Sequence, residues 1–159
     1  MYQTIVVALD GSEFAERVLP YVEELAAKFG SSLQLVYATT PGSVILAETS
    51  GMPADAGFVV DPTPIIEAQQ TEAQSYLSGV IKRLTDKGLK VSGQHPEGQP
   101  ADAILTVAKE AGADLIAMTT HGRHGVMRAI LGSTAESVLH KANCPVLVVR
   151  VHEEPPAKK

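Results

Sequence analysis

The chain has 159 residues, 45% of them apolar and 19% charged, which excludes a disordered polypeptide and supplies a core that needs no disulfide staples. Lysine and arginine total 13 against 18 for aspartate and glutamate, a formal charge of -5; that balance argues against a nucleic-acid partner but leaves room for one small phosphorylated ligand in a locally positive site. The single cysteine, Cys144, excludes an intrachain disulfide, and no apolar run reaches the ~20 residues of a membrane span.

Met1-Tyr2-Gln3-Thr4 enters a strand-like run at once, so no signal peptide and a cytoplasmic protein are expected. Thr4 to Leu9 reads as a buried strand, consecutively apolar from Ile5, and Asp10-Gly11-Ser12 ends it. Ala15, Val18, Leu19, Val22, Leu25, Ala26 and Phe29 form a helical stripe closed by Gly30. Leu33 to Thr39 is the second predicted strand. Residues 40 to 63 break the rhythm with prolines, glycines and hydroxyl residues, and read as a long variable loop. A loop of that length is either functional, as a lid or part of an interface, or a tolerated surface insertion.

Ile65 to Lys87 is predicted as a long helix with Tyr76, Leu77, Val80, Ile81 and Leu84 on one face. Leu89 to Gln94 is a weak third strand. Pro100 suits the first turn of the next helix, which carries Ile104, Leu105 and Ala108 and ends at Gly112. Leu115 to Thr119 is the fourth strand, residues 120 to 131 a loop, Ser133 to Ala142 the last helix and Pro145 to Val151 the fifth strand. A polar tail, 153 to 159, follows. Strands that alternate with helices require crossover connections. The expectation is an α/β fold: one domain over 1–152, an open, doubly wound, five-stranded parallel sheet with helices on both faces. Ligands of such sheets sit outside the carboxyl ends of strands where the strand order reverses. That directs attention to Asp10, Ala38, Gln94 and the residues from Thr119 onward.

The run Met118-Thr119-Thr120-His121-Gly122-Arg123-His124-Gly125, continued to Gly132-Ser133-Thr134, carries most of the chemical information. It holds three glycines and ends at a helix start. A helix N-terminus offers unpaired N–H groups and about half a positive charge, which suits phosphate. Gly122 and Gly132 let main chain approach phosphate oxygens, and Arg123 and His121 add positive charge. Ser133 with Glu136 three residues on also reads as a capping box, which needs no ligand. His121 and His124 have no carboxylate beside them, so no metal site is expected. Asp10 ends the first strand and suits either a ribose hydroxyl or a helix cap. No dinucleotide fingerprint, P-loop or catalytic constellation is present in the sequence. The last strand is strongly β-prone, and at a sheet edge it would invite a second copy of the chain.

Ile5 to Ser12, Met118 to Ser133 and Cys144-Pro145-Val146-Leu147-Val148-Val149-Arg150 together resemble the universal stress protein family over essentially the whole chain. The resemblance implies an adenine-nucleotide alpha-hydrolase-like fold. ATP-binding members carry Gly, two residues, Gly, nine residues, Gly, then Ser or Thr. Gly122, Gly132 and Ser133 match the later part, and Thr119 stands at the first glycine, so altered binding is expected. By resemblance, Asp10 contacts ribose, the main chain of Ala38 faces adenine, and Met118 and Thr119 flank the sugar. Gly122, Arg123, Gly132, Ser133 and Thr134 hold phosphates, with Mg possible beside ATP. The resemblance implies a homodimer through strand 145–151 and an adenine-nucleotide (ATP, ADP, AMP or cyclic AMP) sensor in stress survival. The alternatives are a member that binds no nucleotide and acts through protein partners, or a slow ATPase.

Overall fold

The structure is a computed structural model that describes residues 1–39, 63–122 and 132–152. The variable loop up to residue 62, the segment 123–131 and the tail 153–159 lie outside the described residues. In chain order the elements are β1 (Thr4–Leu9), a 3-10 turn (Ala15–Val18), α1 (Leu19–Phe29), β2 (Ser32–Tyr37), α2 (Thr63–Thr85), β3 (Lys90–Gln94), α3 (Pro100–Glu110), β4 (Leu115–Gly122), α4 (Ser133–Lys141) and β5 (Val146–His152).

The five strands form one sheet in the order β3-β2-β1-β4-β5, and every pair is parallel. Order reverses between β1 and β4, where Val7 is flanked by Leu35 on one side and Ala117 on the other. Side chains alternate between two cores. Ile5, Val7 and Leu9 of β1 join Leu33 and Leu35 against Val22, Leu77, Val80 and Leu84 of α1 and α2. Val6, Val36, Ile116 and Met118 pack on the other face against Ile104, Val107 and Val138 of α3 and α4. A strand covered on both faces must be apolar at consecutive positions, which explains the run from Ile5. Ile5, Val6 and Val7 are all 0% exposed, and truncating a buried isoleucine such as Ile5 to alanine costs about 2–5 kcal/mol.

The N-terminal stripe, expected as one helix, is divided. Ala15–Val18 is a 3-10 turn, and α1 begins at Leu19 with Pro20 in its first turn. Proline has no N–H to give to an upstream carbonyl, so an α-helix starts there more readily than it passes through. β4 runs three residues past the expected strand end, to Gly122, because Thr120, His121 and Gly122 pair with Arg150, Val151 and His152. Residues 120 to 122 therefore belong to β4 and not to the predicted loop.

The remaining contacts fix the frame. Asp114 accepts the main-chain N–H of Gln3 at 2.8 Å and of Thr4 at 3.1 Å, tying the start of β1 to the start of β4. Arg83 on α2 and Lys87 in the turn just after it pair with Glu16 and Glu23 at 2.6 and 2.5 Å; these pairs are partly exposed and worth little each. β3 and β5 are the two sheet edges. Among the described residues no helix is long and apolar enough to cross a membrane.

Candidate functional site

A cavity of about 630 Å³ opens at the carboxyl end of the sheet, at the reversal between β1 and β4. That size lies within the range of small-molecule sites. Its walls come from the end of β1 and the following turn (Ala8, Leu9, Asp10), from β2 and beyond (Val36, Ala38) and from β4 (Met118, Thr119, Thr120). The starts of α3 (Pro100, Ile104) and α4 (Gly132 to Ala135) complete it, with Phe14 and Ala15 beside Asp10. The doubly wound topology makes this convergence. Parallel strands put all their carboxyl ends on one side, and each following helix starts there.

The turn after β1 is tightly specified. Asp10 Oδ1 accepts the Ser12 main-chain N–H at 2.9 Å and the Ser12 hydroxyl at 2.5 Å. Ser12 Oγ in turn accepts the Ala15 N–H at 3.0 Å, at the head of the 3-10 turn. Gly11 between them has φ +82°, a left-handed conformation that a side chain would strain. Among the described residues, Oδ2 of Asp10 accepts no hydrogen bond.

The start of α4 differs from the expected capping box. The N-cap is Gly132, at φ 77° and ψ 144°, and among the described residues no side chain caps the helix. Ser133 is the first helical residue, one position too late to cap its own helix. The Glu136 N–H bonds the Gly132 carbonyl at 3.0 Å as an ordinary helix turn. The leading N–H groups of α4 therefore receive no capping side chain, and Gly132, Ser133 and Thr134 line the cavity.

Of the residues singled out in the sequence, the structure brings Asp10, Ala38, Met118, Thr119, Gly132, Ser133 and Thr134 to one cavity. Gln94 stands at the end of the edge strand β3 and does not line it. Reversal occurs between β1 and β4, two strands away from β3, which is why that expectation fails. His121 and Gly122 close β4, with their main chain opposite Val151 and His152. Arg123 lies outside the described residues. Sequence reading missed Phe14, Val36, Pro100 and Ile104 as lining residues. Their signal was positional: each stands within a turn or so of a strand's carboxyl end or a helix start.

Thr39, 4% exposed, closes the end of β2. Its N–H donates to the Pro96 carbonyl at 3.0 Å, and its carbonyl accepts the Gly98 N–H at 3.0 Å. This bridge holds the Ala38 main chain in place just before residue 40.

The universal stress protein family model matches residues 1–150. A universal stress protein of Methanocaldococcus jannaschii is 33% identical over 150 residues, spanning 94% of this chain and 83% of its own length. The solved structure of the protein MJ0577 of that organism superposes with a TM-score of 0.76 at 27% identity, over 97% of this chain and 99% of its own. A universal stress protein of Archaeoglobus fulgidus, solved in complex with dAMP, matches with a TM-score of 0.63 at 27% identity, over 92% of this chain and 97% of its own.

Proposed function

The chain belongs to the universal stress protein family, and from that premise we propose that it is a nucleotide-binding stress-response protein whose cavity takes an adenine nucleotide: ATP, ADP, AMP or cyclic AMP. The observation that carries this reading is the meeting of Asp10 with the uncapped start of α4 in one cavity. A carboxylate oxygen that accepts no hydrogen bond among the described residues suits a ribose hydroxyl. A helix start with unpaired N–H groups suits a phosphate, with the helix dipole adding its positive end. The relative solved with dAMP supports a nucleotide of this class.

In this reading Asp10 accepts from the ribose, the Ala38 main chain meets the adenine edge, and Met118 and Thr119 flank the sugar. Gly132, Ser133 and Thr134 hold phosphate oxygens, joined by Gly122, Arg123 and His121. With ATP, Mg²⁺ would neutralise part of the phosphate charge. Apolar walls at Val36, Ile104 and Met118 exclude water from the base, where a hydrophobic contact favours a flat ring. The protein is cytoplasmic and works as a homodimer whose two β5 edges, over residues 145–151, pair with each other.

A second reading has one observation in its favour. Thr119, in place of the family's first glycine, lines the cavity. If its side chain blocks the sugar, the protein acts through protein partners alone. Isothermal titration with ATP, ADP, AMP and cyclic AMP separates the two. Heat and saturation with at least one nucleotide are expected; no heat with any of them at high protein concentration refutes the nucleotide reading.

A further inference from the structure

Tyr37, the last residue of β2, lies on the sheet face opposite the α3–α4 side and does not line the cavity. It nevertheless touches the turn that carries Asp10. A Cβ built on Gly11 would stand 3.1 Å from Tyr37 Cε2 and 3.3 Å from its hydroxyl oxygen, so the ring edge abuts the glycine backbone. The same ring meets Tyr76 of α2 edge-to-face, with centroids 5.7 Å apart and an interplanar angle of 61°. Edge-to-face pairs of this spacing are favourable and orient both rings. The Tyr37 hydroxyl also lies in the field of two carboxylates. Burial first, then Glu72 and Asp10, push its pKa up, so it stays protonated and able to donate.

We propose that Tyr37 is a positioning residue for the nucleotide site: held by Tyr76, its ring supports Gly11 and so fixes where Asp10 and Ser12 stand at the cavity. The Asp10–Ser12 hydrogen bonds define the turn's shape, but they are internal to it and do not anchor it to the sheet. Ser12 is tied to the 3-10 turn through the Ala15 and Glu16 N–H groups; the ring beneath Gly11 adds the contact from β2, and it links the position of α2 to that of Asp10. Polar groups of a binding site need support of this kind to within about half an ångström. Glycine at position 11 meets both demands at once, the positive φ and the close ring. The affinity part of this inference rests on the nucleotide reading above; the structural part does not.

The test uses the full chain with Tyr37→Leu, which fills the core without the flat ring, and Tyr37→Phe, which keeps the ring. Amide hydrogen exchange is followed at Ser12 in the turn and at Val7 in the middle of β1, and ATP affinity is measured alongside. Tyr37→Leu is expected to speed exchange at Ser12 by about tenfold with Val7 unchanged, and to weaken ATP binding by about tenfold. Tyr37→Phe is expected to restore both to within about twofold of the parent. Unchanged Ser12 exchange in Tyr37→Leu, or equal acceleration at Ser12 and Val7, overturns the proposal. If the parent protein binds no nucleotide, the functional reading fails, and Ser12 exchange still decides whether Tyr37 positions the turn.

Discussion

A single carboxylate oxygen, Oδ1 of Asp10, accepts both the N–H and the hydroxyl of Ser12. One oxygen thus shapes the turn, and in the proposed nucleotide site the other would accept from the ribose. Replacing Asp10 by alanine removes both roles. Adenine-nucleotide affinity should fall by about 10- to 100-fold, the worth of a hydrogen bond to a charged group. Asp10→Asn keeps an acceptor for Ser12 and should lose less. Titration calorimetry of the two variants checks this; equal affinity in Asp10→Ala and the parent would remove Asp10 from the site.

Thr119 separates the two functional readings. It pairs with Val149 inside the β4–β5 ladder, and its position lines the cavity. Thr119→Gly should tighten ATP binding by a few-fold to tenfold, because the side chain no longer crowds the sugar. Glycine inside a strand should cost about 0.5–1 kcal/mol of stability. Weaker binding in this variant would mean that threonine contributes a contact rather than an obstruction.

Asp114 predicts a pH dependence outside the site. Burial alone would raise its pKa, but the N–H groups of Gln3 and Thr4 outweigh it and hold the carboxyl below the usual carboxylate range. A depressed folded-state pKa gives stability that is present above the unfolded value and is lost as pH falls through the folded one. Asp114→Asn should therefore cost about 1 kcal/mol at neutral pH. The gap to the parent should narrow as pH falls through and below the usual carboxylate range, as the parent's carboxyl is protonated. Thermal melts at pH 7 and at pH 2.5 measure it; a gap that is constant across pH would contradict the assignment.

Whereas the edge position of β5 comes from the sheet order, the strand itself was legible in advance because Val146 to Val151 is a run of β-prone residues. The strand cores were legible for the same reason: consecutive apolar residues mark a sheet covered on both faces. What failed was local. Ala15 and Val18 repeat at a spacing that a 3-10 turn and an α-helix share, so only Pro20 could have shown where α1 begins. Thr120, His121 and Gly122 look like loop residues, yet β5 supplies partners that draw them into the sheet. Ser133 and Glu136 spell a capping box, but Gly132 takes the N-cap place. Nothing in the composition reveals that Tyr37 reaches under Gly11, since that contact depends on how far β2 extends beside β1.

With β5 at the sheet edge, its outer hydrogen-bonding groups have no strand partner among the described residues. The protein should sediment as a dimer at micromolar concentration in analytical ultracentrifugation. A monomer throughout that range would contradict pairing through residues 145–151.

In the proposed nucleotide site, one cavity joins Asp10 to the amides opening α4 around a single nucleotide. A crystal structure grown with ATP tests it most directly. The ribose should lie within hydrogen-bonding distance of Asp10, with phosphate oxygens on the N–H groups of Gly132, Ser133 and Thr134. Nucleotide bound elsewhere, or a cavity closed by side chains with no space for a phosphate at α4, would contradict the account.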